Sequence, residues 1–189
     1  MSFVPRKSLG QNFLLNQKII KKIVDLGKLN NESTVIEIGP GTGNLTEEII
    51  KKKPKDFFAI EKDINLFSQL NNKYKSDLIL INQDVLTINW QSLIKNKCIV
   101  FGNLPYNISS KILINWIRLN NLNALFNKFI LMFQKEVADR IVADVNSSNY
   151  GRLAILTAWK LNAKKIMDID PENFFPKPKV KSSVIYFEP

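Results

Sequence analysis

The segment Asn103-Leu104-Pro105-Tyr106 follows the apolar run Cys98-Ile99-Val100-Phe101 and combines the groups needed to grip the exocyclic amine of a planar base. The Asn103 side-chain oxygen, and the backbone carbonyl before or at Pro105, can each accept a hydrogen bond from an –NH2 group. The Tyr106 ring offers a face on which a base can stack. Taken alone, the same residues also read as ordinary turn chemistry. About sixty residues upstream lies a second constellation, Val35-Ile36-Glu37-Ile38-Gly39-Pro40-Gly41-Thr42-Gly43. Together the two read as a methyl-donor site followed by an acceptor-amine site.

The glycine loop has the spacing G-x-G-x-G, which departs from the G-x-G-x-x-G of dinucleotide sites and argues against NAD or FAD. No G-K-[ST] follows it, so a P-loop is excluded. Glu61, about twenty residues beyond the loop, is placed to accept from both hydroxyls of a ribose, and a carboxylate there disfavours a 2′-phosphate. Asp84 can accept from the N6 amine of a cofactor adenine, with the Val85 backbone N–H available to its ring nitrogen. Glu37, just before the loop, is a candidate for contacts near the amino-acid end of the donor. Each carboxylate taken singly also reads as a solvated cap; their joint register favours the functional reading.

These residues must be held by elements, and the chain supplies helix and strand patterns in alternation. Asn16 is a candidate cap for a helix whose face carries Ile19, Ile20, Ile23, Val24 and Leu26. The opening stretch before it reads as irregular and basic. Strands are expected at 34–38, 57–61, 78–81, 99–101 and 129–133. Helices are expected over 45–52, over a face of Ile64, Phe67, Leu70 and Tyr74, over 112–119, and over 136–143. A helix at 154–160 and two late strands, 164–169 and 183–187, complete the pattern. The late strands lack a long helical crossover between them, so they should pair antiparallel. The alternation predicts an α/β, Rossmann-like sheet of about seven mostly parallel strands with the last antiparallel. In such sheets ligands bind beyond the carboxyl ends of the strands. The glycine loop, Glu61, Asp84 and Asn103 stand at four successive strand ends.

Composition bounds the chemistry. At 189 residues the chain reads as one domain, 1–189, with 1–15 a basic N-terminal motif segment. No apolar run approaches the roughly 20 residues of a membrane span, and the N-terminus lacks the apolar core of a signal peptide. One cysteine, Cys98, permits no internal disulfide and points to the cytoplasm. Histidine is absent, which excludes a His base, Ser-His or Cys-His nucleophiles and His-ligated metals. No metal is expected, and any chemistry must proceed by positioning and polar contacts. The net charge of +10 points to a polyanionic partner, though abundant Lys, Asn and Ile also fit a compositional bias.

The chain resembles the ribosomal RNA small-subunit adenine dimethyltransferases of the KsgA type over nearly its whole length. The likeness rests on Lys7-Ser8-Leu9-Gly10-Gln11-Asn12-Phe13-Leu14, the glycine loop, Glu61, Gln83-Asp84-Val85 and Gly102 through Ser109. It continues through Gln134-Lys135-Glu136-Val137-Ala138-Asp139-Arg140, Tyr150-Gly151-Arg152-Leu153 and Phe174 through Ser182. The resemblance implies S-adenosylmethionine as donor and adenine N6 of rRNA as acceptor. The chain would act as a monomer on rRNA of the immature small subunit, methylating two adjacent adenosines. It implies Asn12, Leu14, Gly39, Glu61, Asp84 and Asn103 as cofactor contacts, with Gly41 in the loop between them. Its motif register assigns Phe174 and Tyr106 to sandwich a flipped adenine, and Phe175 to the core. Arg6, Lys7, Lys177, Lys179 and Lys181 flank the pocket in sequence as candidate phosphate contacts, with Arg140 and Arg152 as further possibilities. Alternatives are an Erm-type large-subunit rRNA methyltransferase and a ribosome-assembly RNA-binding factor with secondary methylation. A DNA adenine methyltransferase is disfavoured by Leu104 in the acceptor motif. KsgA-type proteins continue into a small helical C-terminal domain, and this sequence ends at Pro189, so the resemblance implies a weaker grip on the ribosome than a longer relative's.

Overall fold

A computed structural model describes residues 10–189. Its centre is a sheet built from strands β2 (Thr34–Ile38), β3 (Asp56–Ile60), β4 (Ile79–Ile81), β5 (Cys98–Asn103), β6 (Phe126–Gln134), β7 (Asn162–Ile169) and β9 (Ser182–Glu188). The two remaining strands, β1 (Phe13–Leu14) and β8 (Phe174–Phe175), form a separate two-residue ladder. The seven central strands lie in the order β4-β3-β2-β5-β6-β9-β7. β4, β3, β2, β5 and β6 pair in parallel, whereas β9 is antiparallel to both β6 and β7. The helices are α1 (Gln17–Leu26), α2 (Asn44–Ile50), α3 (Ile64–Tyr74), α4 (Trp90–Leu93), α5 (Ser109–Ile117), α6 (Leu122–Leu125), α7 (Lys135–Ile141) and α8 (Arg152–Lys160).

Strand periodicity sorts the apolar residues onto two faces. Ile36, Val100, Leu131 and Ile185 belong to one core, with Trp116, Ile112 and Ala138 from the helices that cover it. Val35, Ile99, Ile130 and Val184 belong to the other, with Ile20, Ile49 and Leu70. Successive residues of a strand point to opposite faces, so β2, buried throughout, feeds both cores at once. At roughly 25 cal/mol per Å² of apolar surface, burial on both faces is the main favourable contribution to this fold.

Local chemistry sets the element ends. The Asn16 side chain accepts from the backbone N–H of Lys18 and Ile19, capping α1 as the sequence predicts. Asp63 caps α3 in the same way. Two expectations differ from the structure. Ile64 is 52% exposed, and Leu66 takes its place on the buried face of α3 with Leu70 and Tyr74. The stretch before Asn16 is not wholly irregular, because Phe13 and Leu14 pair with Phe175 and Phe174.

The order of strands decides where the site lies. From β2 the chain moves outward through β3 and β4, then returns to start β5 on the other side of β2. The topological switch point is therefore between β2 and β5, where Ile38 pairs with Gly102. The glycine loop leaves one of these strands and Asn103 ends the other.

Candidate active site

A cavity of about 190 Å³ opens at the carboxyl edge of the sheet over this switch point. Its wall includes Gly39 and Gly41 after β2, Glu61 after β3, Asp84 and Val85 after β4, and Asn103, Pro105 and Tyr106 at the end of β5. Asn12 and Phe13 complete it from the N-terminal segment. A wider surface depression near α6 and α8 has a volume of about 1000 Å³ but holds none of these motif residues.

The glycine loop is shaped by positive φ. Gly39, Gly41 and Gly43 lie at φ +64°, +61° and +86°, in the left-handed region that L side chains avoid. A Cβ on Gly41 would stand 2.7 Å from the Phe13 ring, so that ring packs directly under the loop. A Cβ on Gly39 would meet nothing within 4 Å, because the backbone there borders open space.

Glu61 is only 7% exposed. One of its carboxylate oxygens accepts from the Gly41 N–H at 3.2 Å and the other from the Asp63 N–H at 2.8 Å. The carboxylate lines the cavity and, as a group with about four acceptor sites, has capacity beyond these bonds. Burial raises its pKa, while the backbone donors of Asp63 and Gly41 pull it down. Asp84 behaves oppositely. Its ion pair with Lys62 at 2.8 Å and the Leu86 N–H keep its carboxyl below the usual range, so it stays ionised at the rim.

Asn103 has a defined orientation. Its Nδ2 donates to the backbone carbonyl of Asn12 at 2.6 Å, which leaves Oδ1 as the acceptor at the cavity wall. The Pro105 carbonyl accepts from the Ile108 N–H at 3.1 Å, and its second lone pair remains. Tyr106 is partly buried, and its hydroxyl lies 2.5 Å from the Ser182 hydroxyl. Burial raises the phenol pKa.

Leu14, Glu37 and Phe174 stand away from the main cavity, and the expected places of Phe174 as stacker and Phe175 as core residue are corrected. Leu14 is in the core and lines a smaller adjoining cavity rather than the main one. Glu37 lines that smaller cavity too, 1% exposed, with Oε2 accepting from the Thr46 hydroxyl at 2.7 Å. Burial pushes its carboxyl up to about 8, so it is neutral at pH 7. Phe174 is 4% exposed in the core with Leu14 and Ile20, while Phe175, expected inside, is 57% exposed. The cause is the β1–β8 ladder, in which Phe174 lies opposite Leu14 and the alternation of the strand turns Phe175 outward.

Among the candidate phosphate contacts, Lys177 pairs with Glu172 at 2.6 Å and Lys181 with Asp170 at 2.8 Å, while Lys179 is exposed. Arg6 and Lys7 lie outside the described residues. Arg140 pairs with Glu136 one helical turn away. Sequence reasoning missed Lys62 as the partner of Asp84, and Phe13 as the support of the glycine loop. The apolar Phe13 in a basic stretch was the available signal.

Comparison with known proteins places this geometry in context. The family model described as ribosomal RNA adenine dimethylase matches residues 3–189. A ribosomal RNA small subunit methyltransferase A of Pelagibacter ubique is 50% identical over 184 residues, 97% of this chain and 70% of that protein. Its counterpart from the Wolbachia of Brugia malayi is 46% identical over 188 residues, 98% of this chain and 71% of that protein. Among solved structures, a dimethyladenosine transferase from Plasmodium falciparum superposes with a TM-score of 0.82 at 31% identity, covering 94% of this chain. This chain spans 63% of that one, just under two thirds of its length. The 23S rRNA methyltransferase ErmE gives a TM-score of 0.80 at 25% identity, covering 93% of this chain and 69% of ErmE.

Proposed function

The chain belongs to the ribosomal RNA adenine dimethylase family, and from that premise we propose that it methylates N6 of two adjacent adenosines in small-subunit rRNA, giving N6,N6-dimethyladenosine. The donor is S-adenosylmethionine, which supplies an electrophilic methyl group on sulfonium. The chemistry of the cavity wall fits such a donor. Glu61 holds a carboxylate for the ribose hydroxyls, Asp84 and the Val85 N–H serve the adenine edge, and the glycine loop lets the backbone approach closely. Asn12 and Gly39 complete the contacts, and Glu37 acts from beneath as a neutral hydrogen-bonding group rather than as a charge.

The observation that carries the reading is the fixed amide of Asn103. The adenine amine is a poor nucleophile because its lone pair is delocalised into the ring. Methyl transfer requires that nitrogen to become more tetrahedral, and acceptors aimed at its two hydrogens favour the change. Asn103 Oδ1 and the carbonyl at Pro105 fill this role, and both stabilise the positive charge that develops on nitrogen. The proton leaves to water once the product nitrogen is cationic, so no general base is needed, in keeping with a chain without histidine. Tyr106 supplies the stacking face for the flipped base.

The small-subunit reading is favoured over an Erm-type one by relatives up to 50% identical that carry the small-subunit name, against 25% identity to ErmE. The substrate is rRNA within an immature small subunit, and the protein acts as a monomer in the cytoplasm. No helix among the described residues is long and apolar enough to cross a membrane. Mass spectrometry of small-subunit rRNA after incubation with isotopically labelled donor tests the proposal. Two adjacent adenosines, each gaining two labelled methyls, are expected; label confined to large-subunit rRNA, or none, overturns it.

A further inference from the structure

We infer that Ser182 is a positioning residue for base stacking: its buried hydroxyl anchors the tip of the Tyr106 ring, and the antiparallel strand β9 delivers it there. The inference rests on the adenine-methylating reading and concerns how that site is held.

Tyr106 lies in the turn after β5, on the wall of the cavity. Its backbone is tied down locally, since its carbonyl accepts from the Ser109 hydroxyl at 3.3 Å. Its ring tip is tied to a distant part of the chain, 2.5 Å from Ser182 Oγ across 76 residues of sequence. Ser182 is wholly buried and opens β9, where it sits between two partners at once, opposite Gln134 of β6 and Ile169 of β7. A serine paired within the sheet to a strand on each side is a rigid post.

Topology explains why the post is within reach. The parallel strands β5 and β6 carry their last residues to the site edge of the sheet. A parallel β9 would bring its final residues to that edge; running antiparallel, it brings its first. In the order β5-β6-β9, Ser182 thus stands two strands from Asn103, and the Tyr106 ring bridges the end of β6 to reach it. A tyrosine free to rotate about χ1 and χ2 would present its face to the base only part of the time. The bond at the ring tip selects one orientation before the base arrives, so the ordering cost is met by the fold.

The test compares wild type, Ser182→Ala, Ser182→Thr, Tyr106→Phe and the double variant Ser182→Ala/Tyr106→Phe. The readouts are single-turnover methyl transfer to saturating small-subunit RNA, donor affinity by calorimetry, and thermal unfolding. Ser182→Ala is expected to lower the single-turnover rate about tenfold, the scale of one lost buried hydrogen bond, with donor affinity unchanged. Ser182→Thr, which keeps the hydroxyl, should restore most of the rate. Tyr106→Phe removes the same bond from the other end without touching β9, so it reads the bond even if Ser182→Ala unfolds. The double variant should be no slower than the slower single one. Wild-type rates in both single variants, or losses that multiply in the double, overturn the anchor. A wild type that transfers no methyl to any adenosine sinks the parent reading instead, and the two failures are told apart by that arm alone.

Discussion

Asn103 holds its amide nitrogen on the Asn12 carbonyl, so truncation removes an oriented acceptor, while the N-terminal segment stays held by the β1–β8 ladder. Asn103→Ala should slow single-turnover methylation by roughly 100-fold or more, the scale of one lost preorganised polar contact, while leaving the melting temperature nearly unchanged because the side chain is outside the core. A near wild-type rate with saturating donor would remove Asn103 from the chemistry. Glu61 has a double duty, since the oxygens proposed for ribose hydroxyls also hold the N–H groups of Gly41 and Asp63. Glu61→Ala is therefore expected to weaken donor binding by on the order of 1.5–3 kcal/mol and to lower thermal stability too. Calorimetric titration decides it, and unchanged affinity in a folded variant excludes the ribose role. Glu37 makes a prediction of a different kind. Its carboxyl titrates at about 8 in the folded chain against an ordinary value of 4.5. Between those values the folded chain keeps a proton that the unfolded chain has released, so stability falls as pH rises through this window. Glu37→Gln has no proton to lose, and its melting temperature should decline less between pH 5 and 8 than wild type's. Asp84 and Asp139, whose pKa values are lowered by lysine partners, act in the opposite sense, with stability lost as pH falls through and below their ordinary range.

At the scale of elements, the glycine loop and the strand beneath it form one unit. Gly41 needs φ +61° and has the Phe13 ring where a Cβ would go. Gly41→Ala should thus be penalised twice, by backbone strain and by displacement of Phe13, and should cost roughly 1–3 kcal/mol. The measurable outcome is a lower denaturation midpoint together with weaker donor binding. A variant with wild-type values of both would mean that Phe13 yields freely. Most elements were legible in the sequence because their cues were local. The Thr34–Ile38 strand ends in glycines, Asn16 caps its helix, and Val35 and Ile36 alternate between two cores. What escaped was set by partners remote in sequence. Nothing near Phe13 announces that it pairs with Phe175, and nothing near Phe174 tells which of two adjacent rings turns inward. Likewise Lys62 beside Asp84 and Ser182 beside Tyr106 become neighbours only once the strand order is known.

At the scale of the whole molecule, the net charge of +10 overstates the cation available to RNA near the site. Lys177 is occupied by Glu172 and Lys181 by Asp170, and both pairs are largely solvent-exposed. Exposed pairs of this kind contribute little to stability, so their acids can be removed without endangering the fold. They do compete with phosphate for the same ammonium groups. Neutralising an acid rather than a base is therefore the informative experiment. Glu172→Gln and Asp170→Asn should each tighten binding to small-subunit RNA. The tightening should be greatest at low salt, because phosphates then take up the released lysines. Each additional phosphate neutralised by a lysine steepens the log–log salt dependence by about 0.7–0.9. Lys179→Ala, at an exposed cation between them, should flatten the same slope by a comparable amount. Filter binding over a salt series measures all three. If the acid variants bind no tighter and Lys179→Ala leaves the slope unchanged, the 177–181 segment does not touch phosphate, and the RNA path crosses the protein elsewhere.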